Sequence, residues 1–266
     1  MPSKIETYIE LAAQTAAKVT RDFSSWTAFL QLAARLYKYK FSEQLLIYAQ
    51  RPNATACAEY STWTEKMRRY VRRAAKGIAV IREVDGVPTL RYVFDVADTG
   101  TMDNGLHLYF WTARDEFQPV VSAALEQCFM VPADDKGLSV QLATIAANLA
   151  GKYWDTYKST LPASLKGSAL KKNNRGYKKA FLDASAASIT YVLLSRCGLE
   201  PEQLFDEGDF AHVFECDTQE SVMALGDAVS QCAELPLRTI EHEIRQYLRN
   251  KRTEQRAKPP HEPSAA

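Results

Sequence analysis

The five cysteines of this chain (Cys57, Cys128, Cys197, Cys216, Cys232) are odd in number and far apart, and none forms a C-x-x-C pair. That spacing excludes a zinc ribbon and argues against a disulfide framework; it reads as reduced, mostly buried thiols of a cytoplasmic protein. No apolar run approaches the roughly 18 residues of a membrane span, and the N-terminus, MPSKIETYIELAAQ, has no apolar signal core. The patterns G-x-x-x-x-G-K-[ST], G-x-G-x-x-G and G-x-S-x-G are all absent, which removes the familiar phosphate-cradling loops and the nucleophile elbow. His242-Glu243 begins an H-E-x-x-H pattern, but Gln246 stands where the second metal-ligating histidine belongs, and His107, His212 and His261 are isolated. No catalytic residue, metal or cofactor is therefore assigned, and the chain reads as a non-enzyme without a membrane partner.

What is present is a globular composition. The 266 residues are 46% hydrophobic and 24% charged, enough for one large domain or two modest ones. The net charge of +1 conceals an asymmetry: residues 1–95 hold 15 Lys and Arg against 9 Asp and Glu, and the remainder 18 against 23. Two electrostatic faces are expected. The densest positive stretch is "RRYVRRAAKG", with Arg68, Arg69, Arg72, Arg73 and Lys76 in ten residues.

Periodicity places a helix over residues 3–20, with Ser3 and Glu6 as a capping box. A second starts near Ser24 or Ser25 and runs to about Tyr39, and "FSEQLLIYAQ" follows as a third, with Ser42 as its N-cap. "YSTWTEKMRRY" reads as a short helix. "GIAVIREV" and "TLRYVFDV" flank Asp85-Gly86-Val87-Pro88 as a hairpin, residues 97–106 as loop and "HLYFW" (107–111) as an edge strand. Helices are expected at 116–129, 137–158, 176–196 and 218–250, the last broken near Pro236, with Cys197-Gly198 as a helix stop. The fold class is α+β: a helical N-terminal segment packed with a small antiparallel sheet, then a mainly helical region. The expected division is 1–115, 116–250 and a disordered tail, 251–266, with almost nothing apolar to bury.

A cluster of cations is often only a solvated surface. Here it spans a helix–strand junction, has few neighbouring carboxylates in sequence, and follows a stretch dense in rings. Cations that track a backbone beside rings that stack on bases are what a single-strand binder needs. Trp26 and Phe29 fall on an apolar helix face and read as core. Tyr37 and Tyr39, beside Arg35, Lys38 and Lys40, are the candidates for stacking. A second basic run, "LKKNNRGYKK", offers Lys171, Lys172, Arg175, Lys178 and Lys179 as an extension of the same path. Asp134-Asp135 and the trio Asp206, Glu207 and Asp209 read as solvated loop acids.

The order of residues 24–99 resembles the N-terminal module of ArdC-type antirestriction proteins. The resemblance is carried by Trp26, by Arg35 with Tyr37, by Phe41 with Gln44-Leu45-Leu46-Ile47, by Trp63, and by Arg72-Arg73 and Lys76-Gly77 ahead of a strand; "YVFDVADT" continues it. A longer stretch, about residues 1–250 and including "SITYVLLSRCGLEP", is similar to the N-terminal region of large helicase/methyltransferase-like proteins on integrative conjugative elements of Firmicutes. The chain departs from the family pattern at Glu43, where an Asn is common, and at Ala74-Ala75, where Gly and Glu are usual. The resemblance implies single-stranded DNA binding in a mobile-element setting, with Gln44, Arg51 and Trp63 joining Arg35, Tyr37, Lys38, Tyr39, Lys40 and the five cations of the basic segment as contact candidates. It implies antirestriction or protection of DNA in transfer. The alternatives are a protein-directed inhibitor of a host-defence nuclease and a non-catalytic accessory module of a helicase/methyltransferase.

Overall fold

The computed structural model describes residues 3–106, 108–133 and 137–257. Three helices open the chain: α1 (Lys4–Val19), α2 (Phe23–Arg35) and α3 (Phe41–Gln50). Ser3 and Glu6 form the expected capping box on α1. The cap of α2 is Asp22, not a serine: its carboxylate accepts from the Ser25 N–H at 2.8 Å, and several such bonds hold its pKa far below the usual range. At α3 the helix begins one residue before Ser42, because Glu43 reaches back to accept from the Lys40 N–H at 3.1 Å.

Five short strands follow. They are β1 (Cys57–Glu59), β2 (Arg69–Val71), β3 (Ile78–Val84), β4 (Val87–Asp95) and β5 (Thr99–Thr101). One antiparallel sheet has the order β1-β4-β3, and β2 pairs with β5 in a second. The expected hairpin is present, turned by Asp85 and Gly86 alone, both at positive φ (51° and 78°) as a type I′ turn requires. "YSTWTEKMRRY" is split: a π-helical turn covers Thr62–Lys66, and Arg69–Val71 is strand β2. The expected loop 97–106 contributes β5, its partner. Leu108–Trp111 is irregular and not an edge strand; His107, the first residue of that stretch, lies outside the described residues.

The rest is helical: α4 (Gln118–Phe129), α5 (Leu138–Thr156), α6 (Leu161–Ser164), α7 (Ala169–Asn173), α8 (Tyr177–Cys197), α9 (Ala211–Phe214) and α10 (Gln219–Ala257). The sequence of α8 carries Ala, Ser, Ile, Val and Leu on every side, and it is buried over most of its length, the signature of a central helix. Gly198 stops it in the left-handed conformation at φ 78°. Pro236 does not break α10, which runs 39 residues without interruption. A proline costs a helix about 3 kcal/mol, but Cys232, Ala233, Leu237, Ile240 and Ile244 anchor both sides of it in the core. The helix also continues past 250 to Ala257, into the stretch expected to be disordered; residues 258–266 lie outside the described residues, as do Asp134 and Asp135.

One hydrophobic cluster joins Trp26, Phe29, Tyr37 and Phe41 to side chains of α5, α8 and α10, so the main core crosses residue 115. A smaller cluster places Ile78, Val80 and Val93 of the sheet against Leu32, Leu36 and Ile47. Asp95, 1% exposed, ties the connector before β1 to the sheet by accepting from the N–H groups of Thr55, Ala56 and Ala97. Gly226 of α10 lies so close to the ring of Phe41 that a Cβ there would overlap it. Gly226→Ala ordinarily favours a helix, but here the buried ring cannot step aside. We expect it to lower the unfolding free energy by about 1–3 kcal/mol in urea titrations.

Candidate nucleic-acid interface

The turn between α2 and α3 closes one wall of a groove of about 260 Å³, whose other walls are β1, the Leu108–Trp111 segment and α10. Glu241 reaches into it from α10. Its carboxylate accepts from the Tyr37 hydroxyl at 2.5 Å, pairs with Lys38 at 2.6 Å, and holds Arg245 at 2.8 Å. Burial opposes ionisation of Glu241, but the bonds from Lys38 and Tyr37 outweigh it, and its pKa falls from 4.5 to about 2. Trp111 lies edge-on to Tyr37, and the Arg196 guanidinium stacks on Trp111 with 3.8 Å to the ring centroid while donating to its carbonyl.

The groove brings together Arg35, Tyr37, Lys38, Tyr39 and Trp63 of the expected contact residues. It does not leave their rings free. Tyr37 is 4% exposed and Trp63 2%, with the Trp63 N–H donating to the Phe94 carbonyl at 2.9 Å. The Tyr39 hydroxyl donates to the Cys57 carbonyl at 2.7 Å, and burial pushes its pKa up. These three rings are therefore structural, because each was drawn into a core by a distant partner. Gln44 is also buried and donates to the Leu36 carbonyl. Arg35 donates to the carbonyls of Ala54 and Pro52, Arg51 pairs with Asp98, and Lys40 is exposed at the start of α3. Glu43 pairs with Arg82 at 2.6 Å, and Arg82 also bridges to Glu59 and lies over Tyr39. A structural ion network thus occupies the Glu43 position.

The basic segment has a different environment. Arg69 on β2 forks onto the hydroxyls of Thr99 (2.8 Å) and Thr101 (3.0 Å), and Arg72 donates to the Ala97 carbonyl. Arg68, Arg73 and Lys76 are exposed and form no ion pair or side-chain hydrogen bond among the described residues. None of the five meets a carboxylate there. Arg68 also holds a positive φ of 50°, a conformation that costs a residue with a Cβ about 1–2 kcal/mol.

Beside this segment lie further rings, outside the expected contact residues. Alternation along β4 turns Val93 to the core and Tyr92 and Phe94 to the other face, where Tyr60 packs edge-on against Phe94 at 6.4 Å. Gly77, the residue after Lys76, is wedged between them: a Cβ there would lie 3.1 Å from Tyr92 and 3.3 Å from Phe94. Tyr60, Tyr70 and Tyr92 are each about half exposed. The period-2 pattern of "YVFD" was the signal that could have singled out Tyr92 and Phe94.

Two of the five cations of the second basic run meet carboxylates. Lys178 pairs with Asp155 and Lys179 with Asp183, and Lys171 donates to the Pro162 carbonyl above the Tyr177 ring. Lys172 and Arg175 are exposed. Among the described residues no three His, Cys, Asp or Glu side chains group as metal ligands, and His242 is exposed on α10. No helix among the described residues is long and apolar enough to cross a membrane. No protein-family model, curated protein or solved structure matches the chain.

Because Glu241 has a lowered pKa when folded, its ionic contacts stabilise the protein fully above the unfolded value near 4.5. That stability disappears as pH falls towards 2. Chemical denaturation over this window should show a loss of about 2 kcal/mol in the wild type that is largely missing in Glu241→Gln.

Proposed function

We propose that this chain is a sequence-tolerant single-stranded DNA-binding protein of a mobile genetic element, acting in antirestriction or in protection of DNA during transfer. One observation carries the reading. Arg68 precedes β2, Arg69 lies on it, and Arg72, Arg73 and Lys76 follow in the loop to β3; none of the five has a carboxylate partner among the described residues, and the loop ends at Gly77 between the half-exposed ring of Tyr92 and the partly buried ring of Phe94. Phosphates favour the cations through counterion release, and exposed rings stack on unpaired bases whatever their identity. A duplex keeps its bases stacked internally, so the rings favour a single strand. The uncommon backbone at Arg68 fits a segment held in place for contact. The resemblance to the ArdC-type module supports the mobile-element setting.

Fluorescence polarisation with a labelled single-stranded oligonucleotide, run as a salt series, tests this. The wild type should bind at low salt and lose affinity steeply as salt rises. Replacing Arg68, Arg73 and Lys76 together by Gln should reduce the slope of log affinity against log salt by roughly 2. Tyr92→Ala should cost about 1–3 kcal/mol of affinity with little change in slope. No binding at low salt, or equal binding to duplex, overturns the proposal.

A further inference from the structure

Away from the basic segment, an open recess of about 470 Å³ lies between the end of α5, α6 and the first turns of α10. Two tyrosines one helical turn apart, Tyr153 and Tyr157, form adjoining panels of its wall, with ring centroids 4.6 Å apart and planes tilted by 45°. Glu220 is exposed at the rim, and Asp227 projects into the recess from α10. No Lys or Arg lines it. The Asp227 carboxylate forms no ion pair and accepts no side-chain hydrogen bond among the described residues; Lys40 acts on it only through space.

A half-buried carboxylate without a partner is costly, and burial raises its pKa. The faces of two tyrosines add negative potential on the same side. An anion is repelled from such a site. A neutral donor can hydrogen-bond to the carboxylate but leaves its charge uncompensated. A cation satisfies both the carboxylate and the rings.

We propose that this recess binds an alkylammonium cation, with Tyr153 and Tyr157 as its aromatic wall and Asp227 as its counter-ion. The tyrosines are too close to sandwich a ligand, so the cation rests against their joined faces. Gln231, which accepts from the Tyr157 hydroxyl at 3.4 Å, helps to fix that ring. The inference is independent of the nucleic-acid reading, since none of the cations proposed for the salt series lines the recess.

Isothermal titration of the whole protein with spermidine, tetramethylammonium and N-acetyl-lysine amide, in physiological salt, tests it. At least one probe should bind saturably at one site. Preference for spermidine indicates a free polyamine, and preference for the lysine derivative indicates a side chain. Asp227→Asn keeps the size of the side chain and should weaken binding by at least about tenfold. Tyr157→Leu, at a position 38% exposed, should weaken it severalfold with little change in melting temperature, and it carries the test if the Asn variant folds poorly. Failure of all three probes to bind the wild type, or unchanged affinity in Asp227→Asn, overturns the proposal.

Discussion

Trp26 is completely buried against the side of α8, and its indole N–H donates to Ser188 at 3.1 Å. The packing of α2 and α3 builds on that insertion. It sets α2 against the central helix, stacks Phe29 behind the indole, and brings Phe29 edge-on to Phe41. With α2 and α3 so fixed, Leu32, Leu36 and Ile47 present a second apolar face, on which the sheet settles through Ile78, Val80 and Val93. The basic strand β2 belongs to the other sheet and is tied to this one through its partner β5, which follows β4 in the chain.

The rings of the N-terminal half divide according to this packing. Those nearest the α2–α3 turn were captured: Tyr37 by Glu241, Tyr39 by the Cys57 carbonyl, Trp63 by the Phe94 carbonyl. Each is a polar aromatic whose single donor found a buried acceptor, the usual outcome when such a ring is taken from water. Tyr60, just after β1, and Tyr92, on the outer face of β4, stay about half exposed. The cations divide in the same way. Lys38 was taken up by an acid of α10, whereas Arg68, Arg73 and Lys76 meet none among the described residues.

Local chemistry made much of the fold legible in the sequence. Ser3 with Glu6, Asp85-Gly86 and Gly198 each impose their own backbone geometry, and the structure keeps all three. The α+β class followed from the change of period near residue 78. What could not be read depends on distance. Nothing near Lys38 in sequence announces Glu241, and nothing near Glu43 announces Arg82. Pro236 carries a local signal to break the helix, which packing on both sides outweighs. Strand β2 is too short to show a period, and only its pairing with Thr99–Thr101 defines it. Nearness to cations along the chain singles out Tyr37 and Tyr39, but it takes no account of which face a strand or helix buries.

The unbroken course of α10 has a mechanical side. Asp227 and Glu241 lie on the same rod, separated by about 21 Å of helical rise. A break at Pro236 would separate the two ends; the helix runs through it instead, held in the core on both sides. An axial slide or roll of α10 would therefore carry both carboxylates, so the Tyr153 end and the Tyr37 end share one structural element.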